Sequence, residues 1–210
     1  MRFPPTVDLR PYFITLEDLP GEPIRWSELF GNDNPVEIEI GSGRGLFLVN
    51  AGQAQPDTNF LGVEYDFKEG RRGARLLQNR ELLNVRMLGA NAQIVIPRFI
   101  QDGAMQGAHV YFPDPWWKRR HRKRRIFNPT FVDEMARIIR PGGILHSWTD
   151  VEEYFGVITR LVAAHPNFKQ LPTPESNEPR HDMDYHTSFE RKMRKQGCTI
   201  YRARWERVGV

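Results

Sequence analysis

Val36-Glu37-Ile38-Glu39-Ile40-Gly41-Ser42-Gly43-Arg44-Gly45-Leu46 joins a short β-rich run to a glycine turn, and an apolar helical stretch continues from Leu46 to Ala54. A strand that ends in glycines and opens onto a helix begins a βα unit, and the glycines let backbone approach a ligand at the strand's carboxyl end. The alternation then repeats. Asn59–Glu64 reads as a second strand, Phe67–Glu81 as a helix with arginines on its exposed side, Val85–Leu88 as a third strand and Ala92–Ile100 as a short helix. His109–Phe112 reads as a fourth strand. Asn128 and Pro129 cap a helix whose Phe131, Met135, Ile138 and Ile139 share one face, and Pro141-Gly142-Gly143 turns the chain into a fifth strand, Ile144–Trp148. Asp150 stands as the N-cap, with Glu153 three residues on, of a helix buried along Tyr154, Ile158, Leu161 and Val162. Residues 172–188 read as a long polar loop, and Thr199–Val208 as a final strand. Repeated βα units with right-handed crossovers predict an α/β fold, a doubly wound, mostly parallel Rossmann-like sheet with an antiparallel C-terminal strand. Residues 1–34, rich in Pro, Gly and Asp, read as an irregular arm ahead of a single domain over 35–210.

Composition narrows the class. The 210 residues are 40% hydrophobic and 27% charged, ordinary for a soluble domain with a full core. Formal net charge is +4, yet Lys118–Arg125 alone holds seven Lys and Arg, so the rest of the chain carries more acid than base. Basicity concentrated in one patch points to a polyanionic partner. A lone cysteine, Cys198, excludes an internal disulfide; with no bilayer-length apolar run and no apolar signal core after Met1, a cytoplasmic protein is expected. The six histidines and one cysteine show no metal-ligand spacing, so no metal is expected.

The glycine turn also carries chemistry. Its third glycine arrives one residue early for the dinucleotide fingerprint, and Glu39 stands two residues before Gly41. A carboxylate there would repel a pyrophosphate but suits an ammonium, which favours S-adenosylmethionine over a nicotinamide dinucleotide. Gly41 and Gly43 would let the backbone approach that cofactor. Glu64, nineteen residues past Gly45 at a strand end, is placed to accept from ribose hydroxyls. Asn91, just past the third strand, is placed for the adenine amino edge.

At the fourth strand's end comes Tyr111-Phe112-Pro113-Asp114-Pro115-Trp116-Trp117, then Lys118-Arg119-Arg120-His121-Arg122-Lys123-Arg124-Arg125. Prolines donate no N–H, so the ladder stops and one carboxylate stands between them. The two indoles suit base stacking, one buried and one at the ligand surface, and Arg119 to Arg125, His121 included, suit phosphates.

These stretches resemble the bacterial tRNA (guanine-N7)-methyltransferases, which modify guanosine 46 in the variable loop. The resemblance spans about residues 36–208. It rests on Glu39–Gly45, Phe60–Glu64, Phe112–Trp116, Lys118, His121, Lys123-Arg124-Arg125, Thr149-Asp150 and Thr187-Ser188-Phe189-Glu190. It implies the class I methyltransferase fold, with Glu39, Glu64, Asn91 and Asp114 lining the cofactor pocket and Asp114 catalytic. Lys118, Asp150, Thr187, Ser188, Phe189 and Glu190 would contact the tRNA. Asn91 departs from the acid many members carry, Ser188 from a frequent Lys, and Trp117 and Trp148 are bulkier than the pattern. The chemistry fits: guanine N7 already presents a lone pair, so Asp114 need only orient the base and balance the purine cation. Two other readings compete. An exocyclic-amine methyltransferase would carry an Asn/Asp-Pro-Pro-aromatic turn, whose order Pro113-Asp114-Pro115-Trp116 breaks. A catalytically silent RNA-binding subunit would not need Glu39, the glycines and Asp114 intact.

Overall fold

The computed structural model describes residues 7–173 and 185–209. Eight strands form one sheet: β1 (Phe13–Ile14), β2 (Val36–Ile40), β3 (Asn59–Glu64), β4 (Val85–Gly89), β5 (Met105–Tyr111), β6 (Ile139–Thr149), β7 (Phe168–Gln170) and β8 (Tyr201–Arg207), ordered β1-β4-β3-β2-β5-β6-β8-β7. The helices are α1 (Trp26–Phe30), α2 (Leu46–Ala54), α3 (Phe67–Gln78), α4 (Ala92–Phe99), α5 (Pro129–Ile138), α6 (Glu152–Ala163) and α7 (Ser188–Lys195). Strands β1 to β6 pair in parallel, and β8 runs antiparallel to both β6 and β7.

Parallel strands need cover on both faces, and the apolar runs supply it. Ile38, Leu61, Leu88, Ala108 and Leu145 are all fully buried. Strand order reverses at β2, with β3 on one side and β5 on the other, so the crevice for a ligand lies past the carboxyl ends of β2 and β5.

Several boundaries differ from the sequence reading. β5 begins at Met105 instead of His109 and stops before Phe112, which takes φ 51°. β6 runs through Pro141-Gly142-Gly143: pairing jumps from Met105↔Ile139 to Gly107↔Ile144, so the Pro-Gly-Gly is a bulge inside a strand. Asp150 does not cap α6. The cap is Val151, whose N–H donates to Thr149 Oγ1 at 3.2 Å. α7 begins at the last residue of the expected 172–188 loop, of which 174–184 fall outside the described residues. The N-terminal arm is not wholly irregular: β1 lies parallel along β4, and Leu9, Tyr12, Ile24 and Phe30 are buried. Among the described residues, no helix is long and apolar enough to cross a membrane.

Candidate active site

The glycine turn is held by β3. Gly41 and Ser42 N–H donate to Val63 O at 2.9 and 3.3 Å, and the Ser42 hydroxyl to Glu39 O at 3.2 Å. Gly41 and Gly43 have φ 79° and 52°, a region that favours glycine, and a Cβ on either would meet no protein atom within 4 Å. Those faces are therefore open to a ligand. Gly62 works the other way: a Cβ there would sit 2.3 Å from Leu48 Cδ1 and 2.5 Å from Ser42 Oγ, so only glycine lets the turn pack down.

Glu39 is 3% exposed, and its Oε2 has no hydrogen-bond partner among the described residues. Burial, and then the neighbouring Glu64 charge, push its carboxyl well above the usual range. A buried, unsatisfied acceptor costs free energy unless a ligand supplies a donor, and an ammonium would. Glu64 accepts from Gly43 N–H at 2.7 Å through one oxygen and from Asp66 N–H at 2.7 Å through the other, tying the turn to the end of β3. Asn91 caps α4, its oxygen accepting from Gln93 N–H at 2.9 Å. Its second oxygen lone pair and its amide N–H₂ remain for a ligand at the cavity's edge.

Two cavities meet here. One, about 670 Å³, is bordered by Gly41, Glu64, Asn91, Phe112 and Asp114; the other, about 420 Å³, by Glu39, Gly43, Phe47 and the Thr187–Phe189 segment. Gly41, Tyr111 and Phe112 border both. Asp114 is exposed at the first mouth and has no hydrogen-bond or ionic partner among the described residues. The left-handed Phe112 and Trp116, φ 51° and 41°, flank it. Trp116 borders the cavity half-buried, and Trp117 is 64% exposed.

Residues Arg119–Arg124 form a 3₁₀ turn, in which side chains three apart eclipse. That sorts the basic run into three lines. His121 and Arg124 face Trp116, with ring centroids 5.9 Å apart and the Arg124 guanidinium 5.1 Å from the ring. Arg122 and Arg125 face α6: Arg122 pairs with Glu153 at 3.0 Å, and the Arg125 guanidinium lies 4.6 Å from the Tyr154 ring. Arg120 and Lys123 point to solvent and, like Lys118 and Arg119, have no ionic partner among the described residues. Arg125 is thus a correction: expected on phosphate, it is 6% exposed and donates to Pro115 O at 2.7 Å.

Across the second cavity, Thr187 Oγ1 caps α7 by accepting from Glu190 N–H at 2.9 Å, and Ser188 and Phe189 border the space. Phe189 meets Phe112 at 5.0 Å between centroids. Glu190 is the second correction. It is 3% exposed and accepts from Arg202 at 3.0 Å and His186 N–H at 2.7 Å, so it braces α7 instead of facing the substrate. Asp150, freed from capping, stands half-buried at the end of β6.

The sequence reading missed the support beneath these cavities. His109 Nε2 meets Glu37 Oε2 at 2.7 Å and its Nδ1 meets Tyr111 OH at 2.8 Å; burial pushes the Tyr111 hydroxyl well up. Glu37 and Glu39 alternate with core residues on β2, opposite Gly107 and His109 on β5. That period-2 pattern was the available signal.

A parallel sheet with its glycine turn, an orphaned glutamate and an adjoining cavity at the switch point define a class I methyltransferase, with S-adenosylmethionine as cofactor. A family model described as "Putative methyltransferase" matches residues 33–203. The tRNA (guanine-N(7)-)-methyltransferase of Rhodopirellula baltica is 43% identical over 204 residues, 94% of this chain and 75% of that one. Its counterpart in Ralstonia pickettii is 35% identical over 181 residues, 86% and 70% of the two chains. The chain belongs to the tRNA (guanine-N(7)-)-methyltransferase family. The fold is shared with the 16S rRNA methyltransferase KamB, at TM-score 0.63 and 16% identity, covering 88% of this chain and 93% of that one.

Proposed function

We propose that this protein transfers a methyl group from S-adenosylmethionine to N7 of guanine 46 in the variable loop of tRNA, in the cytoplasm, with residues 35–210 acting as one catalytic unit. Family membership supports the base and the RNA. The observation that carries the reading is Asp114, an exposed carboxylate at the cavity mouth with no partner among the described residues, beside a basic turn whose Arg120 and Lys123 face solvent.

S-adenosylmethionine supplies an electrophilic methyl on a positively charged sulfur. Glu39 binds its ammonium and gains the partner that Oε2 lacks. Glu64, already fixed by two N–H donors, accepts from the ribose through its remaining lone pairs, and Asn91 donates to the adenine ring. Guanine N7 presents its lone pair at neutral pH, so no residue of this chain needs to remove a proton. Asp114 accepts from the guanine N–H edge, orients the ring and balances the positive charge that develops on it. Lys118, Arg119, Arg120 and Lys123 hold phosphates, while Asp150, Thr187, Ser188 and Phe189 form the lip that meets the nucleotide. Trp117 stacks on a neighbouring base.

Nucleoside analysis of unmodified tRNA incubated with the protein and labelled S-adenosylmethionine tests this directly. The expected product is 7-methylguanosine, absent when guanosine 46 is replaced by adenosine. Label on another atom overturns the reaction, and label retained in the replaced tRNA overturns the position.

A further inference from the structure

We propose that Arg125 is a positioning residue that holds the Asp114 loop in its working conformation, a role that rests on the functional reading above. The loop is strained at both ends, since Phe112 and Trp116 occupy left-handed backbone that aromatic residues rarely adopt. Such backbone persists only where surrounding contacts over-determine it. Entry is tied to the sheet by Phe112 N–H donating to Trp148 O at 2.8 Å. Beyond that the loop has little to hold it, because Pro113 and Pro115 offer no N–H and Asp114 has no partner among the described residues. Among those residues, a single hydrogen bond reaches the 113–117 segment: Arg125 Nε to Pro115 O at 2.7 Å, on the residue next to the carboxylate.

Arg125 is itself well anchored. Its N–H donates to Arg122 O at 3.1 Å, its guanidinium lies on the ring of the fully buried Tyr154, and Asn128, the cap of α5, donates to Ile126 O at 3.1 Å just beyond it. Burial pushes the Tyr154 hydroxyl up to about 12, and the Arg125 and Asp114 charges act on it in opposite directions, so both lie within reach of one phenol. The tie therefore runs from α5 and α6 through Arg125 to Pro115 and Asp114. Arg124, just before it in the chain, faces the cavity instead.

The test compares Arg125→Met and Arg125→Lys with Arg120→Ala. Arg125→Met should slow single-turnover methyl transfer at saturating tRNA and cofactor by roughly 10- to 100-fold, the scale of a catalytic group displaced by about 1 Å. Its log–log salt slope for tRNA binding should match wild type, whereas Arg120→Ala should lower that slope by about 0.7–0.9. Amide exchange at Phe112, whose N–H donates to Trp148 O at the loop's entry, should quicken in Arg125→Met. Arg125→Lys, which keeps one donor and the charge, should fall between, and it carries the test if the methionine variant does not fold. A wild-type rate, a slope lowered as in Arg120→Ala, or unchanged exchange would each overturn the assignment. Should the wild-type protein form no 7-methylguanosine, the functional reading fails and exchange alone judges the tie.

Discussion

Glu39→Gln should make the cofactor-free protein more stable and the cofactor weaker, and the two effects have one cause. In the cofactor-free protein the Glu39 carboxyl is buried, its Oε2 lacks a partner among the described residues and the Glu64 carboxylate stands near. A buried group left unsatisfied costs about 1–3 kcal/mol, more when charged. A neutral amide escapes the charge part and can donate towards Glu64, so a gain of at least ~1 kcal/mol is expected. For a chain of this size that raises Tm by about 2–4 °C per kcal/mol. In the complex the same substitution removes a charge-assisted hydrogen bond of about 1.5–3 kcal/mol, which weakens the cofactor Kd by roughly 10- to 150-fold.

The pH dependence follows with a definite sign. Because the native Glu39 carboxyl is raised, the folded cofactor-free protein holds a proton that the unfolded chain has already lost. Its stability therefore falls as pH rises from the ordinary glutamate range to the raised value, and stays lower beyond. An ammonium needs the carboxylate, so cofactor affinity should rise with pH across the same window while binding releases a proton. Titration calorimetry in two buffers of different ionisation enthalpy reads that proton, and a melting scan without ligand reads the stability. A Glu39→Gln protein that binds cofactor as tightly as wild type, with the same Tm and the same proton release, would refute the reasoning.

The basic turn should divide by its three lines: Arg120→Ala with Lys123→Ala should lower the log–log salt slope for tRNA by about 1.4–1.8, and Arg122→Ala much less, because Arg122 already pairs with Glu153. Equal slopes in all variants would make the run a solvated face. Gly62→Ala should lose about 1–3 kcal/mol of stability by overpacking, read by denaturant unfolding, since its Cβ would clash with Leu48 and Ser42; a neutral result would mean the turn shifts freely. Asp114→Asn should lose roughly 10²–10³ in single-turnover rate with tRNA affinity little changed, and high pH should not restore it. Rescue by hydroxide would point to acid–base chemistry on a different atom.

The βα core was legible because its residues agree at every level. Val36–Ile40 alternates Val and Ile with Glu up to a glycine, Asn59–Glu64 is a mostly apolar run ended by an acid, and both strands and α2 form over the residues read from sequence. Where local signals conflict with tertiary pairing, the reading slipped. Met105-Gln106-Gly107-Ala108 contains no β-branched residue, yet it is paired from both sides by β2 and β6. Pro141-Gly142-Gly143 has the chemistry of a turn, and the sheet takes it as a bulge because Ile139 and Ile144 both pair with β5. β1 is two residues long and exists only because β4 leaves an edge to pair.

The site divides along the same line. Glu39 and Asp114 were legible from their frames, one before a glycine turn and the other between prolines, since each frame fixes where the side chain stands. Arg119 to Arg125 have no frame. Chemically near-identical neighbours carry no periodic signal, so nothing in the run distinguishes a phosphate ligand from a buried tie. The 3₁₀ turn makes the distinction by geometry alone: with three residues per turn, Arg122 and Arg125 share a line, and that line faces Glu153 and Tyr154 of α6. Glu153 and Tyr154 were both noted as parts of a helix, but what they select could be seen only once α6 lay beside the turn. The same holds for Glu190, whose carboxylate lies three residues past a capping threonine and is claimed by Arg202 from a distant strand. In this fold the candidate groups are marked locally and their supports are not, so substitution of the supports tests the reading where the sequence is silent.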